Sequence, residues 1–100
     1  MVTRRKLVAS VLSDLGFAST DAALGEITLL SAASQLAQYE DECARFERKY
    51  GMSLRELEQR LLRQRQRESF AGEEDLMAWR FAHDAVEYWR PRVAGLRRAV

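Results

Sequence analysis

The stretch "EEDLMAWRFAHDAVEYWRPR", residues 73–92, sets two tryptophans, one phenylalanine and one tyrosine into a single helical segment. Placed 100° apart, Trp79, Ala82, Val86 and Trp89 run on into Val93 and Leu96 at steps of three and four, within an arc of about 100°. Met77, Phe81 and Tyr88 fall together about 130° from the centre of that arc. The segment therefore carries two apolar stripes, where a small helix normally has one. The first asks for a mate within the chain. The second must be covered by another helix or by another molecule.

The mate of the first stripe lies upstream. Leu29, Ala32, Leu36, Tyr39, Cys43, Phe46 and Tyr50 recur at steps of three and four, the narrow seam of a coiled coil or helical hairpin. Ser19, Thr20 and Asp21 offer capping oxygens at the start of this helix, which at 1.5 Å per residue would be about 45 Å long. Gly25 is a weak point in its first turns. Asp41 and Arg45 stand one turn apart and are placed to pair.

In "KYGMSLRELEQRL", residues 49–61, Gly51 can take the left-handed position that stops a helix, and Ser53 with Glu56 has the spacing of a capping box. The next helix lines Leu54, Leu57 and Leu61 on one side and Arg60, Arg63 and Arg67 on the other. The segment "ESFAGEED", residues 68–75, is expected to close it, with Glu73, Glu74 and Asp75 at the positive start of the aromatic helix. Pro91, which lacks a donor, is expected to kink that helix or end its regular part nearby. Ahead of all this, Leu7, Val8, Val11, Leu12 and Leu15 form one side of a short helix, which Gly16 ends and onto which Phe17 folds back.

The expected fold is all-α, an antiparallel helical hairpin of two long helices with one or two shorter helices, in an oligomer. One helical domain spans residues 1–100. It holds an N-terminal helix within 1–18, a long helix over 19–50, an arginine-rich helix over 53–68 and an aromatic helix over 73–98. At 47% hydrophobic and 31% charged residues the composition is that of an ordinary folded domain. No run of about 18 apolar residues is present, so no membrane partner is expected. A single cysteine cannot form a disulfide within the chain, and the expected location is cytoplasmic.

The net charge of +1 conceals an alternation: +2 over residues 1–16, −3 over 21–50, +2 over 51–70, −3 over 71–90 and +3 over 91–100. Alternating elements suit helices that attract one another, or a complementary protein, better than a uniform nucleic-acid field. "RLLRQRQR", residues 60–67, together with Arg4, Arg5 and Lys6, leaves phosphate contact as a third possibility.

Chemistry-bearing motifs are lacking. There is no phosphate-binding loop, dinucleotide fingerprint or nucleophile elbow. His83 and Cys43 read as a surface histidine and a core cysteine, and "YEDE" (39–42) and "EED" (73–75) as solvated acidic faces. No enzymatic activity, cofactor, metal or catalytic residue is expected. The expected interface residues are Met77, Phe81, Tyr88, Arg60, Arg63 and Arg67.

"QLAQYEDECARFERKYGMSLRELEQRL" (35–61), followed by "EEDLMAW" (73–79) and "EYWRPRV" (87–93), resembles the small helical antitoxins of prokaryotic toxin–antitoxin pairs. The matching positions are Tyr39, Glu40, Phe46, Glu47, Lys49 to Ser53, Glu73 to Asp75, Trp79, Tyr88 and Trp89, roughly the middle half of the chain. The first 28 residues lie outside the match, and the arginines of 60–67 and Pro91 depart from the family's more acidic pattern. The resemblance implies a non-catalytic protein that binds and neutralises a cognate toxin of nuclease type. The alternative is a self-assembling helical protein whose second stripe closes a homodimer. The third reading is a nucleic-acid binder acting through the arginine stripe.

Overall fold

Local capping chemistry sets where the helices start and stop. The computed structural model describes residues 2–64 and 70–99, with the side chains of Phe70 and Ala71 excepted, as four helices: α1 (Arg4–Asp14), α2 (Thr20–Tyr50), α3 (Leu54–Arg63) and α4 (Phe70–Arg98). The Thr3, Ser19 and Ser53 hydroxyls accept from the N–H groups of Lys6, Ala22 and Glu56, satisfying donors that the first turns leave free. At the end of α1, Gly16 takes φ +91°, Phe17 N–H bonds Leu12 C=O at 3.1 Å and Gly16 N–H bonds Ser13 C=O at 3.0 Å. This is a Schellman cap, with Phe17 half-buried behind it. Gly51 ends α2 at φ +63°, its N–H bonded to Glu47 C=O.

The seams meet as their spacing implies. α2 and α4 pack antiparallel, and every seam residue from Leu29 to Tyr50 and from Trp79 to Leu96 is buried or half-buried. Along the hairpin the core is narrow, built from Ala32, Ala82, Val86 and Val93. At the far end α3 packs across, and Leu57, Leu76 and Trp79 are buried together against Cys43, Phe46, Tyr50, Met52, Leu54 and Leu61. No helix among the described residues is long and apolar enough to cross a membrane.

Four details differ from the sequence expectations. α4 begins at Phe70 rather than residue 73, with Gly72 inside its first turn. A Cβ on Gly72 would sit 3.0 Å from Leu61 Cδ2, so this glycine serves the close approach of α3 and α4 and does not break a helix. α3 ends at Arg63 with Gln64 as its cap, and residues 65–69, where the expected helix ran on to 68, lie outside the described residues. Pro91 does not end α4, which continues seven residues further to Arg98. Arg45 pairs with Glu42 at 3.8 Å, not with Asp41, because its guanidinium swings to the three-residue neighbour.

The molecule is long and thin. Its radius of gyration is 20.6 Å, with extents of 68 × 32 × 18 Å, whereas a compact chain of 100 residues has about 13 Å. A 31-residue helix accounts for only about 46 Å of that length. α1 buries none of its residues and stands as an arm at the end of the hairpin opposite α3.

Candidate protein-binding surface

The buried seam of α4 holds the exposed side of the helix in a fixed orientation. Trp79, 2% exposed, stacks on Phe46 (centroids 5.7 Å apart, planes at 19°) and on Tyr50 (6.3 Å, 18°). Beside them Asp75 accepts from Lys49 Nζ at 2.6 Å and from the Tyr50 hydroxyl, tying the start of α4 to the last turn of α2. The lysine bond first, and the tyrosine bond second, hold the Asp75 carboxyl below its ordinary range. The same bonds to Asp75 raise Lys49 and Tyr50 above theirs. Arg80–Glu58 at 2.9 Å joins α4 to α3, and Arg90–Glu40 at 3.3 Å joins it to α2. These exposed pairs fix register more than they stabilise.

With one side locked down, the second stripe faces outward. Met77, Phe81 and Tyr88 are 71%, 65% and 51% exposed, so neither α1 nor α3 covers them. The stripe is nonetheless ordered by its neighbours. Tyr39 of α2 meets the edge of Phe81 with ring centroids 5.8 Å apart. Tyr88 stands perpendicular to Trp89 at 5.1 Å, and the Arg92 guanidinium lies over the Tyr88 ring at 3.6 Å while donating to Tyr88 C=O at 2.8 Å. These contacts restrict Phe81 and Tyr88 before a partner arrives, which lowers the entropic cost of association.

At its Met77 end the stripe runs into a groove of about 260 Å³ between α3 and α4, lined by Glu58, Leu61, Leu62, Glu73, Leu76, Met77 and Arg80. Leu62 is exposed there and extends the apolar surface onto α3. Sequence reasoning missed it. The available signal was the adjacent pair Leu61-Leu62, of which only one can face a core at helical spacing.

Five of the six expected interface residues lie among the described residues. Met77, Phe81 and Tyr88 share the α4 stripe. Arg60 and Arg63 are exposed on α3 but do not line the groove that continues the stripe, and Arg67 lies outside the described residues. Among the described residues neither Arg60 nor Arg63 is in an ion pair.

Two further groups, Cys43 and His83, are engaged in packing or solvated. Cys43 packs against the Leu57–Leu76–Trp79 cluster, and burial first, then Glu47, Glu42 and Glu40, push its thiol up against a smaller opposing pull from Arg90. A thiol held protonated is a poor nucleophile. His83 is exposed, with Nε2 3.0 Å from Glu87 Oε1. With Asp84 these two residues gather ligand-type atoms within 4.8 Å on one solvated turn of α4, where the histidine is already occupied by the carboxylate.

No protein-family model matches the chain, and neither does any curated protein or solved structure, so the antitoxin resemblance rests on the quoted residues alone.

Proposed function

We propose that the chain is a non-catalytic, protein-binding helical module of the antitoxin type, which holds a toxin-like partner against the α4 stripe of Met77, Phe81 and Tyr88. The observation that carries this reading is the outward display of those three side chains on a helix whose opposite side is fixed by the Trp79 seam. Aromatic residues backed by arginine are the side chains that dominate binding energy in protein interfaces, and here Arg92 lies on Tyr88. A groove floored by Leu61 and Leu76 at one end of the stripe can receive an apolar side chain of the partner.

Growth provides the test. Co-expression with the product of the neighbouring gene is expected to arrest cells when that gene acts alone and to spare them when this chain is present. Phe81→Ser/Tyr88→Ser is expected to lose protection while keeping the parent's thermal melt. Protection undiminished in that variant, or no toxic neighbour at all, counts against the reading.

A further inference from the structure

We propose that the arm α1 and the first third of α2 form a homodimer interface, in which two copies bury one another's apolar faces about a two-fold axis. The inference stands independently of what the α4 stripe binds. Between residues 2 and 28 only Leu12, Phe17 and Ala23 are covered at all. Leu7, Val8 and Val11 of α1, its cap residue Leu15, and Leu24, Ile27 and Leu30 of α2 are all exposed. Ile27 and Leu30 lie about 150° around α2 from its seam, on a side that α4 does not approach.

Three observations name the occupant as a second copy. The first is area. The chain exposes 8256 Å², whereas a compact monomer of 11.5 kDa exposes about 5,800 Å². The surplus exceeds the roughly 800 Å² per partner of a standard interface several-fold, leaving room for a dimer contact as well as the α4 stripe. An 11-residue helix that buries nothing is also marginal in water, so α1 needs cover from outside its own chain.

The second is sequence symmetry. Leu7-Val8-Ala9-Ser10-Val11-Leu12 reads almost the same in both directions. An antiparallel pair of α1 arms sets Val8 of each copy against Val11 of the other, and the two-fold axis makes that contact reciprocal. The third is charge. Arg4, Arg5 and Lys6 stand at the tip of the arm and Asp14, Asp21 and Glu26 around its elbow, and among the described residues none of the six is in an ion pair. Antiparallel alignment lays the basic tip of each arm along the acidic elbow of the other.

Sedimentation equilibrium of the full chain is expected to show a reversible dimer that weakens with added salt. Val8→Glu/Val11→Glu is expected to raise the dissociation constant ~30-fold or more, with the helical circular dichroism retained, because neither side chain is buried within the chain. Phe81→Ser/Tyr88→Ser is expected to leave the dimer intact. Should the glutamate variant fail to fold, Val11→Cys in a Cys43→Ser background decides: a short bismaleimide is expected to link two copies through position 11, and not through Phe81→Cys in the same background. A parent that stays monomeric at all concentrations, a dimer that survives Val8→Glu/Val11→Glu, a dimer dissolved by the Phe81/Tyr88 variant, or no linkage through position 11 overturns the proposal.

Discussion

Phe46 of α2 and Trp79 of α4 lie nearly parallel across the hairpin, ring centroids 5.7 Å apart, where α3 closes over them with Leu57. This stack sits where α2, α3 and α4 meet. Trp79→Ala is expected to cost about 3–5 kcal/mol in urea unfolding. Further along the seam, Leu36→Asp or Val86→Asp is expected to abolish cooperative unfolding by placing a charge between α2 and α4. Parent-like melts for both aspartate variants would refute the hairpin.

On the opposite side of α4, truncation acts on association instead. Phe81→Ser/Tyr88→Ser is expected to weaken partner binding roughly thirtyfold or more, with little change in melting temperature. Neutralising Asp84 or Arg92 at the edge of the stripe is expected to change mainly the association rate and its salt dependence, as read by stopped-flow mixing at two ionic strengths.

The Lys49–Tyr50–Asp75 tie gives stability a defined pH window. Asp75 is held below the ordinary 3.8, so its contribution is present above that value and is lost as pH falls through the depressed one. Lys49 and Tyr50 are raised above 10.5 and 10.0, so theirs is complete below those values and is lost as pH rises through the raised ones. Asp75→Ala is expected to lower the neutral-pH melting temperature by about 2–4 °C. Melts across pH check the sign: the difference from the parent should shrink at both extremes, and a constant difference would exclude the tie as its source.

Two helical glycines should respond differently to the same change. A Cβ on Gly25 would meet nothing within 4 Å, so Gly25→Ala is expected to stabilise by about 0.5–1 kcal/mol. Gly72→Ala brings its Cβ to 3.0 Å from Leu61 Cδ2, and the same propensity gain is offset by displacing that leucine. Denaturant midpoints of the two variants make the comparison. An equal gain at both sites would show that α3 does not press on α4.

The hairpin was legible in the sequence because three-four spacing encodes a face directly, and Leu29 to Tyr50 found Trp79 to Leu96 without exception. The stops at Gly16 and Gly51 were legible for a related reason: a left-handed position is chosen by glycine and satisfies the helix's own last carbonyls. Gly72 misled because its usual local preference was overridden by tertiary contact with Leu61, and of the two outcomes expected at Pro91, a kink or an end, α4 does not end there. For the binding surface, periodicity placed Met77, Phe81 and Tyr88 on one side of α4 but carried no information on what covers them. That depends on where α1 and α3 go, and neither covers the stripe, although α3 borders its Met77 end.

The antiparallel register also orders events in time. Contact between Tyr50 and Asp75 spans 25 residues of chain, while contact between Glu40 and Arg90 spans 50. Each doubling of a flexible loop adds about 0.6 kcal/mol to its closure, so the end capped by α3 is expected to close first and the hairpin to zip from there toward the arm. Residues around Trp79 would then govern how fast the chain folds, and those around Val93 how fast it comes apart.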